Sequence, residues 1–129
     1  MCSIILIDDD IELLRQMATA FHSAGYKVRA APDGQAGLAH FMAEAAELVV
    51  TDIIMPNREG IETIVELRKA SPSVKVIAIS GGYRAGPDDF LELARHVGAD
   101  GALAKPFRLA ELLGLAAQLV PPRAAAVAA

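Results

Sequence analysis

The chain has 129 residues, with 12 Lys and Arg residues against 16 Asp and Glu residues. This length suits one domain, and the acidic balance lacks the basic patch of nucleic-acid-binding proteins, so we expect no nucleic-acid partner. A single cysteine, Cys2, excludes an intramolecular disulfide and favours a reducing compartment. Because no apolar run approaches the roughly 20 residues of a membrane span, we expect a cytoplasmic protein without a membrane partner.

Five short apolar segments are the predicted strands. They cover residues 3–7, 28–31, 48–51, 74–79 and 102–104. The first, third and fourth are rich in β-branched residues and apolar at successive positions, which is typical of parallel strands covered on both faces. The second and fifth show the same pattern more weakly.

The segments between and after the strands repeat their apolar residues at helical spacing. Helices are predicted around residues 14–21, 34–45, 61–68, 90–97 and 109–116. Asp10 and Asp33 stand where helix N-caps are expected. Gly25, Pro72 and Gly98 follow the ends of three of these helices.

The strands and helices alternate five times along the chain. This order predicts an α/β fold with a single doubly wound, five-stranded parallel sheet and helices on both of its faces. The predicted domain covers residues 1–120. Residues 121–129 read as a Pro- and Ala-rich tail that is disordered beyond its prolines, and we expect no second domain.

Polar residues follow the predicted strands where ligands bind in open α/β sheets, outside the carboxyl ends of the strands. They are Asp8, Asp9 and Asp10 after the first strand, Asp52 after the third, Ser80, Gly81 and Gly82 after the fourth, and Lys105 and Pro106 after the fifth. Because parallel strands end at the same edge of a sheet, these residues are expected to share one crevice.

The negative charge of the expected carboxylate cluster must be balanced by nearby positive charge. Two carboxylates about 5 Å apart repel by about 3 kcal/mol at an effective dielectric constant near 20. Lys105 offsets part of this repulsion, and a hard divalent cation with oxygen ligands, such as Mg²⁺, offsets the rest. A metal and an ammonium group beside a nucleophilic carboxylate are suited to receiving a phosphoryl group.

The same residues, in this order, resemble the receiver domain of bacterial two-component response regulators, in particular the stand-alone, chemotaxis-regulator-like form. The resemblance covers roughly residues 3–119. It rests on Leu6-Ile-Asp-Asp-Asp10, Thr51-Asp-Ile-Ile-Met-Pro56, Gly60, Ala78-Ile-Ser80 and Ala104-Lys-Pro-Phe107. The fold that it implies is flavodoxin-like, with strand order 2-1-3-4-5.

The resemblance also implies a role for each site residue. Asp52 is the implied phosphoacceptor, and the implied donor of its phosphoryl group is a histidine kinase or a histidine phosphotransfer protein. The implied Mg²⁺ ligands are Asp8, Asp9, Asp52 and the backbone carbonyl of Ile54. Ser80, Gly81 and Lys105 are the implied phosphoryl contacts, and the bond before Pro106 is expected to be cis.

Two departures from the family pattern bear on signalling. Ala102 stands where many members carry an aromatic residue that relays the switch. Ile54 occupies a position that tunes hydrolysis of the acyl phosphate, and because its side chain cannot hydrogen-bond an attacking water, we predict a long-lived phosphoryl state. Without an expected effector domain, the output is a contact with another, unidentified protein, made by a monomer or weak dimer.

Other functions compete with this interpretation. A phosphate sink within a relay, or a protein-binding module of the same fold that works without phosphate, remains open; Ala102 is compatible with the second. An aspartate-nucleophile phosphatase resembling haloacid dehalogenases needs a second aspartate at position 54, where this chain has isoleucine. Flavin binding is disfavoured because three carboxylates repel a nucleotide phosphate. We therefore expect no enzyme beyond self-catalysed phosphorylation of Asp52 and hydrolysis of the product.

Overall fold

The computed structural model describes residues 2–53, 60–80, 92, 95–96 and 98–122. Its strands are β1 (Ser3–Ile7), β2 (Lys27–Ala31), β3 (Leu48–Asp52), β4 (Lys75–Ser80) and β5 (Gly101–Ala104). Its described helices are α1 (Ile11–Ser23), α2 (Gly34–Ala43), α3 (Gly60–Ala70) and α4 (Leu109–Leu119). The helix predicted at 90–97 lies mostly outside the described residues, as do residues 123–129 of the predicted tail.

The five strands form one parallel sheet in the order β2-β1-β3-β4-β5. This confirms the predicted doubly wound, flavodoxin-like arrangement. The strands whose sequence pattern was weak, β2 and β5, are the two edges of the sheet. Each has partly exposed positions, whereas β1 and β3 are buried along their whole length.

Two apolar clusters cover the two faces of the sheet. On one face, α1 and α4 pack against strand residues that include Ile4, Leu6, Val50, Ile77 and Ile79, with Met17, Phe21 and Leu112 among the helical side chains. On the other face, α2 and α3 pack against Ile5, Ile7, Val49, Val76 and Ala78, with Phe41, Ile64 and Leu67 among the helical side chains. The alternation of inward positions along each strand explains why the strands are apolar on both faces.

Capping side chains begin two helices where the sequence predicts it. The carboxylate of Asp10 accepts a hydrogen bond of 3.1 Å from the Leu13 amide, and that of Asp33 accepts one of 2.8 Å from the Ala36 amide. Gly25 follows α1 with a φ of 99°, a left-handed conformation that favours glycine. These local signals fix where α1 and α2 start, and therefore which residues remain in the loops at the carboxyl edge of the sheet.

Candidate functional site

The register of the sheet brings the acidic residues together. Ile7 of β1 pairs with Thr51 of β3, so the residues that follow them, Asp8 and Asp52, end up side by side. One ligand oxygen from each of Asp8, Asp9 and Asp52 lies within 4.8 Å of the other two. Three of the carboxylates that the sequence points to therefore form one cluster.

The three carboxylates differ in their exposure. Asp8 is completely buried and Asp52 is 4% exposed, whereas Asp9 is exposed. Asp8 accepts a hydrogen bond of 2.8 Å from the Asp10 amide through Oδ1. The side chain of Asp10 is used as the N-cap of α1, so this fourth acidic residue serves the helix rather than the cluster.

Lys105 supplies the positive charge of the site. Its ammonium nitrogen donates a hydrogen bond of 2.8 Å to Oδ2 of Asp52 and lies 3.1 Å from Oδ2 of Asp8. The Lys105 amide donates to the carbonyl of Ser80 at 2.7 Å, which anchors the end of β5 to the end of β4. The Lys105–Pro106 peptide bond is cis.

The charges in this cluster influence one another's protonation. Burial is the main reason that the pKa of Asp8 lies above its ordinary value; the Asp52 carboxylate raises it further, while the Asp10 amide and Lys105 act in the opposite direction. For Lys105, burial is the largest single influence and lowers the pKa. Hydrogen bonding and attraction to Asp52, and then to Asp8, outweigh it, so the pKa of Lys105 lies above its ordinary value.

One buried oxygen in the cluster suits a cation. Among the described residues, none donates a hydrogen bond to Oδ2 of Asp8, although Lys105 lies close to it. A buried carboxylate oxygen without a donor is costly. One carboxylate oxygen of Asp8 lies within 4.8 Å of carboxylate oxygens of Asp9 and Asp52, and hard oxygen donors of this kind are the ligands that Mg²⁺ prefers. The residues present therefore fit a divalent cation.

Ser80 completes the described part of the predicted site. It is the last residue of β4, is fully buried, and pairs with Ala104 of β5. Ile54 and Gly81, which the resemblance assigns to the metal and to the phosphoryl group, lie outside the described residues. Their predicted roles stay predictions.

A cleft opens beside the cluster. Its volume is about 500 Å³, and it lies between the first turns of α1 and the loop that follows β5. The lining residues combine acidic and apolar side chains with the site lysine: Asp10, Glu12, Leu13, Gln16, Lys105, Pro106 and Phe107. A reacting group can therefore approach Lys105 from this side, whereas the carboxylates of Asp8, Asp9 and Asp52 do not line the cleft.

One residue in contact with the site was noted in the sequence only as part of the resemblance. Gly60 begins α3 and packs directly on the backbone of Asp52. A glycine at a helix start carries no signal of this contact, because it depends on how closely two elements approach in space.

Comparisons with known proteins identify the domain. The family model described as "Response regulator receiver domain" matches residues 4–117. The chain belongs to this family. As a receiver domain it is a signalling module of two-component systems. Aspartate phosphorylation and Mg²⁺ binding at an acidic pocket are general features of such domains.

The curated relatives are about twice as long as this chain. The CpxR homologue of Haemophilus influenzae, a transcriptional regulatory protein, is 37% identical over 113 residues, which are 88% of this chain and 48% of that protein. The transcriptional regulatory protein PrrA of Mycobacterium leprae is 31% identical over 122 residues, 95% of this chain and 51% of that protein. The chain thus spans about half the length of the curated relatives it matches.

Solved receivers share the fold over almost the whole chain. The chemotaxis protein CheY4 of Vibrio cholerae superimposes with a TM-score of 0.83 at 25% identity, covering 93% of this chain and 99% of that one. A CheY-like receiver from Methanospirillum hungatei gives a TM-score of 0.84 at 28% identity, covering 92% of each chain. Within the described ranges, no helix of this receiver is long and apolar enough to cross a membrane.

Proposed function

We propose that this receiver is a switch that accepts a phosphoryl group on Asp52 from a phosphohistidine of a histidine kinase or histidine phosphotransfer protein. The observation that carries this proposal is the position of the Asp52 carboxylate. It lies at the end of a buried strand, 2.8 Å from the ammonium of Lys105, and shares a cluster with Asp8 and Asp9. The nearly buried Asp52 carboxylate thereby has one cation and two further carboxylates as neighbours.

The proposed transfer is a displacement at phosphorus. A carboxylate oxygen of Asp52 attacks the phosphorus, the bond between phosphorus and the donor's imidazole nitrogen breaks, and that nitrogen keeps the electron pair. An acyl phosphate results. Lys105, already in place, neutralises charge on the phosphoryl oxygens, and Ser80 at the end of β4 is the candidate hydroxyl donor to them.

Mg²⁺ is the proposed cofactor. Asp8, Asp9 and Asp52 are the described residues that would hold it, with the carbonyl of Ile54 as a further ligand by family resemblance. A bound divalent cation supplies charge neutralisation at the oxygens of the transferring group. The chain's own part is to direct Asp8 into the cluster, and the hydrogen bond from the Asp10 amide also offsets part of the rise in the pKa of Asp8 that burial causes.

The proposed output is a protein–protein contact that depends on phosphorylation. Two alternatives use the same fold: a phosphate sink passes the group on without an output contact, and a phosphate-independent binding module uses no phosphoryl group at all. The cluster of Asp8, Asp9, Asp52 and Lys105 favours the phosphorylated forms, because a binding module has no need for three carboxylates around a lysine.

Intact mass spectrometry tests the proposal directly. The wild-type protein is incubated with Mg²⁺ and acetyl phosphate, and one base-labile phosphoryl adduct is expected. Asp52→Asn should carry none. Asp33→Asn is the matched control, because it also converts a carboxylate to an amide but at a helix cap where asparagine serves equally well, and it should be modified like the wild type.

A purified histidine phosphotransfer protein, phosphorylated on its histidine, provides the second donor. An adduct from either donor on the wild type, absent from Asp52→Asn, supports the switch. An adduct that persists in Asp52→Asn contradicts the assignment of the acceptor. If neither donor modifies the wild type, the phosphate-independent module becomes the better account.

A further inference from the structure

Gly60 is buried against the backbone of the residue that carries the proposed chemistry. A Cβ added to Gly60 would lie 2.2 Å from the carbonyl oxygen of Asp52 and 2.4 Å from Cα of Ile53. Ordinary van der Waals contact begins at about 3.4 Å. Because both of the crowded atoms belong to the main chain, no side-chain rotation can relieve such a clash.

The end of β3 is held in place from its other side. Asp52 pairs with Ile79 of β4, and the Ile53 amide donates a hydrogen bond of 2.9 Å to the Ile79 carbonyl. The Asp52 carbonyl also accepts a hydrogen bond of 3.0 Å from the Thr51 hydroxyl. A side chain at position 60 must therefore displace α3, the end of β3, or both, by about 1 Å.

A displacement of that size is large on the scale of the site. The hydrogen bond between Lys105 and Asp52 is 2.8 Å long, and hydrogen bonds weaken steeply beyond about 3.2 Å. The three carboxylates offer ligand atoms within 4.8 Å of one another, and this spacing also changes if the backbone of Asp52 moves.

We propose that Gly60 is a positioning residue for Asp52: the missing Cβ lets α3 seat directly on the strand end and so sets where the Asp52 carboxylate lies relative to Lys105 and the other two carboxylates. This inference rests on the proposed function, in which Asp52 is a Mg²⁺ ligand and the phosphoacceptor. Gly60 itself touches no reacting group and acts through the backbone of Asp52.

Gly37 provides a matched control within the same protein. It lies in α2, and an added Cβ would meet Cδ1 of Ile7 at 2.2 Å and Cγ1 of Ile7 at 2.6 Å. The shortest contact is as short as at Gly60, but it falls on the end of a side chain, which can move, rather than on the backbone. Gly37→Ala is thus expected to lower stability without moving the backbone of a proposed ligand.

The experiment measures Mg²⁺ affinity by titration calorimetry in wild type, Gly60→Ala and Gly37→Ala, with thermal unfolding of each variant. Gly60→Ala should weaken Mg²⁺ binding by roughly 10-fold or more, the scale seen when residues behind metal ligands are changed. Gly37→Ala should bind Mg²⁺ like the wild type even if its Tm falls as far. Phosphorylation by acetyl phosphate at saturating Mg²⁺ should also slow in Gly60→Ala alone.

Two results overturn the proposal: wild-type affinity in Gly60→Ala, or an equal loss of affinity in both variants, which would trace the effect to stability. If the wild type binds Mg²⁺ but gains no phosphoryl group, the proposed function fails while the affinities still decide the role of Gly60. If the wild type binds no Mg²⁺, both fail.

If Gly60→Ala does not fold, the same substitution is made in a stabilised variant of the protein. Nothing lies within 4 Å of a Cβ added at Gly114 in α4, so Gly114→Ala is expected to stabilise the fold by its higher helix propensity. The titrations are then repeated in this background, with trimethylamine N-oxide to favour the compact state. Failure to fold even there overturns the proposal, because the clash then unfolds the domain instead of displacing Asp52.

Discussion

The ammonium nitrogen of Lys105 lies 2.8 Å from Oδ2 of Asp52, so the residue that follows β5 reaches across β4 to the last residue of β3. The same nitrogen lies 3.1 Å from Oδ2 of Asp8, which follows β1. One cation is thus shared between two carboxylates whose combined charge it only partly balances.

Lys105→Met is expected to destabilise the metal-free protein. Removal of the ammonium leaves the buried carboxylates of Asp8 and Asp52 without their cation, and breaking a buried ion pair in this way costs about 3 kcal/mol. Since the Lys105 side chain is 23% exposed, we expect a loss of about 2 kcal/mol in the free energy of unfolding. Urea unfolding in EDTA measures it.

The control for this prediction is an exposed lysine with a weaker partner. Lys69 is 72% exposed and lies 3.9 Å from a carboxylate oxygen of Glu66. Lys69→Met should change the free energy of unfolding by less than about 0.5 kcal/mol. Equal losses of unfolding free energy in the two variants would contradict the prediction, because the buried ion pair would then contribute no more than the exposed one.

Asp8→Asn is expected to stabilise the metal-free protein, in contrast to most changes of buried residues. The amide keeps an oxygen to accept the hydrogen bond of the Asp10 amide but carries no charge into a buried position beside Asp52. Because the folded state raises the pKa of Asp8, it disfavours the charged carboxylate, and Lys105 keeps Asp52 as a partner after the charge on Asp8 is removed. Urea unfolding in EDTA should show this gain.

The same variant should lose its response to Mg²⁺. Wild-type Tm is expected to rise with Mg²⁺ concentration, as it does for any ligand that binds only the folded state, whereas the Tm of Asp8→Asn should not. Asp33→Asn, which replaces one helix cap by another, should keep the wild-type response. A Tm of Asp8→Asn that rises with Mg²⁺ like that of the wild type would remove Asp8 from the metal site.

Tyr26 links the start of β2 to the end of α4. Its hydroxyl donates a buried hydrogen bond of 2.8 Å to the carbonyl of Val120, the residue after α4. Tyr26→Phe leaves that carbonyl without this donor, and we expect a loss of about 1–2 kcal/mol in the free energy of unfolding, measured with urea at pH 8. A neutral result would mean that Val120 regains a partner from solvent.

The same tyrosine predicts a dependence on alkaline pH. Burial, and then the nearby Cys2, raises the pKa of Tyr26 above its ordinary value of 10.0. Between those two pKa values the folded state keeps a proton that the unfolded state has lost, so stability falls as pH rises above 10. Wild type should lose stability relative to Tyr26→Phe in that range, and a constant difference between pH 8 and pH 11 would contradict this.

Arg68 connects α3 to two other segments, residues 72–74 and residues 98–100. Its guanidinium donates to the carbonyl of Gly98, to Asp100 Oδ2 at 2.5 Å, and to the carbonyls of Pro72 and Val74. Lysine cannot reproduce this planar set of donors.

Arg68→Lys should therefore cost about 2 kcal/mol of stability in urea unfolding. We expect Mg²⁺ affinity to stay unchanged in this variant, because none of these partners belongs to the acidic cluster. A loss of Mg²⁺ affinity would contradict this and would show that the Arg68 contacts influence the position of the carboxylates.

Local patterns in the sequence predicted the described strands and helices and the edge of the sheet at which the acidic cluster lies. The β-branched run at β1 and the capping aspartates Asp10 and Asp33 depend on residues only a few positions apart, so a sequence shows them directly. The polar strand ends followed from topology, because parallel strands end at one edge. The sequence pattern predicted the edge strands β2 and β5 less clearly, because partly exposed positions interrupt their apolar residues.

Relations between distant residues needed the tertiary structure. The sequence marks Asp8 and Asp9 as equivalent neighbours, yet one is fully buried and the other exposed, because successive residues leave a strand end in different directions. Nothing local assigns Arg68 to Gly98 and Asp100, or Gly60 to the carbonyl of Asp52. Such contacts depend on how closely the helices seat on the sheet, and packing of the whole core sets that distance.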